Sequence, residues 1–328
     1  MSDRSARAVV FAEAGRLDLR TVGLREPASD EVVVETRYSS ISAGTERLLF
    51  GGALPGFPFL RFPLVPGYEA VGVVTERGAD VTDVNVGDEV FVGGSMCYTD
   101  IAAAFGGNAS QLIKKASAVV PLHGIPMAQA PLIALAATSL HGIRRLGDIR
   151  GKRIGVLGMG AIGQFAARFA LAEGAIVSEA DANPDRLGHI PGVTPFTLDV
   201  KPAAPAHGHH GHGAPARDLF DVIVEATGKS ELIATCTDLL AMRGSILLLS
   251  YYDRLECNFV PVFLKEPSLV VSREWDHDDL LLARDAIADG RVAIADLAGD
   301  SYPIDRYESA YAAAFGDPST LKVILQWA

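Results

Sequence analysis

Apolar positions follow two rhythms along this chain. Up to about residue 120 they alternate with polar ones in short stretches, as in Ala8-Val-Val-Phe11 and Glu31-Val-Val-Val-Glu-Thr-Arg-Tyr38, with turn residues between them. That pattern predicts a β-rich first domain. Within it, Val86-Gly-Asp-Glu-Val-Phe-Val92 reads as strand flanking a Gly87-Asp88 hairpin turn. Beyond residue 150, compact apolar runs alternate with helical periodicity. Ile154 to Leu157 reads as a buried strand, Gln164 to Glu173 as a helix closed by Gly174, and Ala175 to Ala180 as a second strand. Asp221 to Gly228, Gly244 to Tyr252 and Ser268 to Ser272 continue the strands, with a helix expected over Ser230 to Met242. Strand and helix in alternation predict a parallel sheet. An amphipathic helix over Asp278 to Gly290, a helix over Tyr307 to Phe315 and a strand over Leu321 to Leu325 close the chain.

One stretch carries chemistry. Lys152-Arg-Ile-Gly-Val-Leu-Gly-Met-Gly-Ala-Ile-Gly-Gln164 joins the first buried strand to a glycine turn and then to a helix. Gly158, Gly160 and Gly163 stand in the order G-x-G-x-x-G. The first permits the tight turn, the second lets a pyrophosphate approach the backbone, and the third lets helix and strand pack closely. Ala161 and Ile162, within the fingerprint, are expected at the cofactor, and the helix that follows offers free N–H groups and a dipole that favour an anion. Asp181, at the end of the next strand, stands where an acidic residue accepts from the adenosine ribose hydroxyls and repels a 2′-phosphate. The expected cofactor is therefore NAD. Arg186 is a second candidate at the cofactor, although it reads more simply as the start of the next helix. Thr227 and Gly228, after the strand at Asp221, are expected beside the cofactor as well.

Composition sets outer bounds. With 328 residues, 49% of them hydrophobic, the chain is long enough for more than one core. We read 1–121 as the β-rich domain, 122–275 as the nucleotide domain and 276–328 as a return to the first. No apolar run reaches a membrane span and no hydrophobic core follows the N-terminal charges, so a cytoplasmic location is expected. Cys97, Cys236 and Cys257 are scattered, against a disulfide framework or a zinc knuckle. A net charge of −11 gives no support to nucleic-acid binding. The segment 201–215, rich in Pro, Ala, Gly and His, lacks the apolar residues that offset the entropy of ordering and is expected to be a mobile loop. Its His207, His209, His210 and His212 offer only adventitious metal capture.

Four motifs in order carry a family resemblance: Gly44-Thr45-Glu46, Gly67-Tyr68-Glu69-Ala-Val-Gly72, Gly87-Asp88-Glu89-Val90, and then Gly158 to Gly163. The chain resembles the medium-chain dehydrogenase/reductase family over nearly its whole length. That resemblance implies an α/β fold, with a Rossmann doubly wound parallel sheet plus a β-rich GroES-like catalytic domain. Zinc-dependent members place a Cys before the Gly-[ST], a His in G-H-E, and a Cys or acidic residue leading into the nucleotide domain. Here those positions hold Ala43 (or Ser42 if the register slips), Tyr68 and Ala134, and no four-cysteine lobe surrounds Cys97. We therefore expect a zinc-free dehydrogenase. By resemblance Thr45 relays the substrate proton; Tyr68, in the lost ligand's place, is a candidate donor to the substrate oxygen, with a packed aromatic as the alternative. Glu69 is expected to orient its neighbours.

Ser40 to Leu49, Phe62 to Gly72 and Phe91 to Asp100 are similar to the branch of this family that oxidises a 1-hydroxyethyl group on a chlorin ring in bacteriochlorophyll synthesis. The expected partner is thus a small-molecule substrate of the bacteriochlorophyllide type, with a homodimer as the expected assembly. Phe57 and Phe59 suit a flat macrocycle and Arg61 a propionate. His141, on an apolar helix, is a further substrate candidate, against a plain core histidine. Two other readings stay open: a zinc-free NADPH-dependent quinone or enone reductase, which Asp181 opposes, and a non-catalytic NAD-binding module, which Thr45 opposes.

Overall fold

The computed structural model describes residues 4–53, 60–198, 220–252, 254–317 and 319–327. Phe57, Phe59 and the segment 201–215 lie outside the described residues. The chain forms two compact units, Met1–Ala134 with His277–Ala328, and Leu135–Asp276.

The first unit opens with β1 (Ser5–Glu13), β2 (Arg16–Gly23) and β3 (Glu31–Ile41), followed by helix α1 (Ala43–Phe50). Next come β4 (Leu64–Val65), β5 (Ala70–Arg77), β6 (Glu89–Val92), β7 (Ala102–Ala103), β8 (Gln111–Lys115) and β9 (Val119–Pro121). Helix α2 (Ile133–Arg144) carries the chain into the second unit. β3 pairs antiparallel with β5 and with β8. The alternation expected there gives way to continuous burial, with Val32, Val33 and Val34 all fully buried. A register shift against β5 falls between Val33 and Val34, and all three valines join one core cluster with residues of β1, β5 and β8. Gly87-Asp88 is not a two-residue hairpin. Residues 78–88 all separate β5 from β6, and the turn closes locally, with Asn85 N–H donating to the Asp88 carboxylate and Asp88 N–H to the Asn85 carbonyl.

The second unit holds β10 (Arg153–Leu157), α3 (Ala161–Ala172), β11 (Ile176–Ala180), β12 (Thr194–Pro195), β13 (Phe220–Glu225), α4 (Leu232–Leu239), β14 (Leu240–Leu248), α5 (Phe259–Lys265) and β15 (Ser268–Val271). Among the described residues these strands form one parallel sheet in the order β12-β11-β10-β13-β14-β15. The order reverses its direction of growth between β10 and β13, which is where open α/β sheets place ligands. Helix α4 stops short of the Met242 expected from sequence. Leu240 leaves it to pair with Phe220 in the core beside Ile223 and Cys236. Gly244 then passes so close to the chain that a Cβ there would stand 2.8 Å from the Asp221 carbonyl oxygen. Burial, with Glu225 adding to it, pushes the Cys236 thiol up to about 12, so it behaves as a core residue. At the far edge, Leu269 and Val271 of β15 and Phe259, Val260, Phe263 and Leu264 of α5 are exposed.

The C-terminal segment supplies α6 (His277–Ala288), β16 (Asp300–Pro303), α7 (Tyr307–Gly316) and β17 (Val323–Gln326). β17 pairs antiparallel with β3, Ile324 opposite Ser40, and so completes the sheet of the first unit. No helix of the described residues is long and apolar enough to cross a membrane.

Candidate functional site

In the first unit, the turn from β3 into α1 and the turn entering β5 bring three hydroxyls together. Ser42 is the N-cap of α1, yet its side chain makes no cap hydrogen bond. Its Oγ instead forms a short hydrogen bond with the Tyr68 phenol, which also lies 3.3 Å from Thr45 Oγ1. Phe105 meets the Tyr68 ring edge-on at 5.0 Å. Burial, reinforced by the charge of Glu69, pushes the phenol well above its ordinary value of 10.0, so Tyr68 stays protonated at neutral pH. It can donate to an oxygen; it is no phenolate base. Ala43 and the fully buried Ala134 carry no ligand atom, so the side chains at the family's metal positions do not make a zinc donor set.

Two carboxylates lie beneath these hydroxyls. Glu69 is fully buried, accepts from the Ser40 hydroxyl, and is paired with the equally buried Lys322 Nζ at 2.5 Å. Glu46 is also fully buried. It accepts from Ser42 N–H at 2.9 Å, from the Tyr311 phenol at 2.6 Å and from Asn108 Nδ2 at 3.2 Å. Burial pushes Glu46 up to about 7; the nearby Glu69 adds to the rise, while Tyr311, Ser42 N–H and Lys322 oppose it. Lys322 pairs directly with Glu69, so the groups that hydrogen-bond Glu46 itself are neutral donors.

In the second unit, the turn after β10 makes an anion cradle. Gly158 has φ +90°, and a Cβ on Gly163 would stand 1.9 Å from the Gly158 carbonyl oxygen, so neither position tolerates a side chain. Gly160 caps α3 with no side-chain bond, and the nearest atom to a Cβ there is Arg186 Nη1 at 3.8 Å. Ala161 and Ile162 form the first turn of α3, beginning the helix three residues earlier than the expected Gln164. Such a cradle fits a dinucleotide pyrophosphate. Asp181 follows β11 and accepts from Met159 N–H at 2.6 Å and Asn183 N–H at 2.8 Å, tying the glycine turn to the strand end. Its oxygens keep further acceptor capacity. Arg186 does not start an α-helix. It ends a single 3₁₀ turn, Pro184–Arg186, capped by Asn183, and its guanidinium lies 3.9 Å from Asp181. Thr227 packs against the glycine turn, its Cγ2 being 2.7 Å from a Cβ built on Gly158.

Thr45 and Tyr68 are thus brought together, as are Gly158, Gly160, Gly163, Asp181, Arg186 and Thr227. Glu69 sits next to Tyr68 in sequence but is bonded to Ser40 and Lys322. Arg61 is exposed in the first unit, and His141 is half-buried on α2 in the second.

Residues 28–124 match the alcohol dehydrogenase GroES-like domain. Over its full length the chain is similar to the 2-desacetyl-2-hydroxyethyl bacteriochlorophyllide A dehydrogenase of Cereibacter sphaeroides, at 36% identity with 98% of each chain covered. The protein of that name from Rhodobacter capsulatus is 32% identical, with 97% of each covered. The chain belongs to the medium-chain dehydrogenase family. This medium-chain dehydrogenase is therefore an oxidoreductase acting on CH–OH groups. Its fold matches a zinc-binding dehydrogenase of Sinorhizobium meliloti bound to NADP, with a TM-score of 0.80 at 21% identity, covering 99% and 100% of the two chains. It also matches a cinnamyl alcohol dehydrogenase of Sorghum bicolor, with a TM-score of 0.81 at 19% identity and 98% of each chain covered.

The family motifs give no role to Glu46, although it closes Gly44-Thr45-Glu46, and none to Ser42 beyond the slipped register; Lys322, Tyr311 and Glu225 lie outside them. Glu225 ends β13 fully buried and gathers Thr227 N–H at 2.8 Å, Gly228 N–H at 3.3 Å and the Thr227 and Tyr252 hydroxyls. Burial raises it above the ordinary carboxylate range, against those hydrogen bonds. An acidic residue closing the apolar run Val222-Ile-Val224 was the available signal, since a buried carboxylate needs a set of donors around it.

Proposed function

We propose that this dehydrogenase oxidises the 1-hydroxyethyl group of a bacteriochlorophyllide-type chlorin to an acetyl group, with NAD as acceptor and without catalytic zinc. The observation that carries the metal-free reading is the hydroxyl set Ser42, Tyr68 and Thr45 in place of a ligand set. The pigment substrate rests on the full-length similarity to the two bacteriochlorophyllide dehydrogenases. Gly158, Gly160, Gly163 and the first turn of α3 hold the pyrophosphate, with Asp181 and Arg186 at the adenosine ribose. Thr227 and Gly228, fixed by Glu225, line the same turn. When bound, the nicotinamide supplies the acceptor for the hydride.

The chain's own task is the alcohol oxygen. Protonated Tyr68 donates to it and lowers the energy of charge developing there, while Thr45 relays the alcohol proton toward the cofactor ribose and from there to solvent, so that the hydride on NAD and this proton account for both hydrogens lost. Glu69 positions the turn that carries Tyr68. Arg61 and His141 serve the pigment, as do Phe57 and Phe59 in the sequence reading. The exposed apolar edge formed by α5 and β15 supports a homodimer, because unpaired strand edges and apolar patches favour covering.

The experiment is oxidation of the hydroxyethyl pigment with NAD, followed by the red-shifted absorbance of the conjugated acetyl product. Turnover is expected to survive chelators, to fall about 10²-fold in Tyr68→Phe, and to fall in Thr45→Val with NAD affinity nearly unchanged. A tightly held zinc whose removal abolishes turnover, or both variants working at the unmodified rate, refutes the reading.

A further inference from the structure

An N-cap serine ordinarily turns its hydroxyl back onto the first helical N–H groups. Ser42 does not. It stands at the N-cap of α1 with φ −83° and ψ 89°, makes no side-chain cap bond, and directs its hydroxyl to Tyr68 instead. The backbone of this residue is held by another group, because Glu46, one turn into α1, accepts from Ser42 N–H at 2.9 Å. Glu46 is in turn fixed by Tyr311 and Asn108, themselves buried. Ser42 itself is only 6% exposed. A buried hydroxyl has thus been withdrawn from capping and its main chain pinned from beneath, while its oxygen meets the one phenol in the hydroxyl set.

The phenol needs that partner. Tyr68 has one proton and a C–O bond about which it rotates freely unless a hydrogen bond selects a direction. Thr45 Oγ1 at 3.3 Å is a weaker partner than Ser42 Oγ. Glu69, next in sequence, has its Oε2 held by Ser40 and Lys322.

We propose that Ser42 is a positioning residue for the metal-free reaction: its hydroxyl, held in place through Glu46, donates to the phenol oxygen of Tyr68 and so leaves the single Tyr68 proton directed to the substrate oxygen. This rests on the proposed function above, in which Tyr68 is the donor. Ser42 touches neither substrate nor cofactor in this scheme and acts through Tyr68 alone. With the Ser42 hydroxyl present the phenol is preorganised; its loss removes that hydrogen bond and loosens the phenol.

The test is a mutant cycle. Ser42→Ala is expected to lower kcat about tenfold, the worth of one aligned hydrogen bond, with KM little changed. In a Tyr68→Phe background the same substitution is expected to change kcat less than about twofold, because nothing is left to orient. Ser42→Thr, which keeps the hydroxyl, is expected to restore most of the rate. The unfolding midpoint of Ser42→Ala is expected to fall only modestly, because the Ser42–Tyr68 bond is lost and no cap bond is. A substrate-free reading accompanies it: in protein labelled with ¹³C at tyrosine Cζ, the signal absent from Tyr68→Phe is expected to shift in Ser42→Ala and to return in Ser42→Thr. An unmodified rate in Ser42→Ala while Tyr68→Phe is slow overturns the inference and leaves the functional reading standing. Equal losses in both backgrounds overturn it too, by showing that Ser42 acts independently of Tyr68. Both single variants at the unmodified rate overturn the functional reading. An unmoved Tyr68 carbon signal overturns the inference whatever the activity.

Discussion

Glu46 makes the stability of this dehydrogenase fall as pH rises through the range in which most proteins are at their steadiest. Its carboxyl has an ordinary value of 4.5 and is pushed up to about 7 in the fold, chiefly by burial. Between those values the folded chain holds a proton that the unfolded chain has released. Because the folded state then binds more protons, unfolding free energy declines with pH, by about 1.4 kcal/mol per unit across the window. The swing attributable to this one group is thus about 3 kcal/mol, most of it between pH 5 and 7. Glu46→Gln removes the proton equilibrium and keeps the acceptor for Ser42 N–H. Its amide also faces Tyr311, whose hydroxyl can turn to accept. The assay is denaturant unfolding of both proteins from pH 5 to pH 8, followed by subtraction of the two stability curves so that titrations common to both cancel. The unmodified protein is expected to lose about 3 kcal/mol relative to Glu46→Gln across that range. Parallel curves would refute the reasoning, since they would mean that Glu46 titrates alike in both states.

Two further outcomes follow from buried or tethered charges. Lys322→Met strands the buried Glu69 without its counter-ion and is expected to cost about 3–5 kcal/mol, recovering in Lys322→Met/Glu69→Gln; denaturant unfolding of the three proteins checks it, and a cost below about 1 kcal/mol counts against the pair. Asp181→Ala removes an anchor of the glycine turn and a charged acceptor, so NAD affinity is expected to fall roughly 10- to 100-fold while the preference over NADP narrows. Asp181→Asn is expected to lie between, with calorimetric titration of each nucleotide as the measurement and an unchanged NAD:NADP ratio in Asp181→Ala as the contrary result.

The parallel sheet was legible because its evidence is local: apolar runs bounded by turn residues, and glycines whose spacing answers to steric demands within one turn. Gly158 at φ +90° and Gly163, with no room for a Cβ, are the demands that such spacing encodes. The ends of elements were less legible where tertiary contacts decide them. Leu240 has good helical propensity, yet it leaves α4 to be buried opposite Phe220. Arg186 follows a helix-like Asn-Pro signal and completes only one 3₁₀ turn. The ion pair of Glu69 with Lys322 had no local trace at all, because the two meet only through β17 pairing with β3 and β3 with β5.

The candidate oxygen site shows the same limit in a sharper form. In sequence, Ala43, Tyr68 and Ala134 register as subtraction, the absence of ligand atoms, and an absence names no substitute chemistry. Ser42 turns out to precede α1, where a serine ordinarily serves as a cap. The fold overrides that meaning: Glu46 takes over the N-terminal backbone of α1, Tyr311 and Asn108 hold Glu46, and the serine oxygen is released toward Tyr68. Apart from the local Glu46–Ser42 bond at the start of α1, those steps join residues far apart in the chain through α7, the turn entering β5 and the loop before β8. A hydroxyl set able to steady an alcohol oxygen is therefore a property of the packed first unit, and Ser42→Ala and Tyr68→Phe are where that property can be separated from stability.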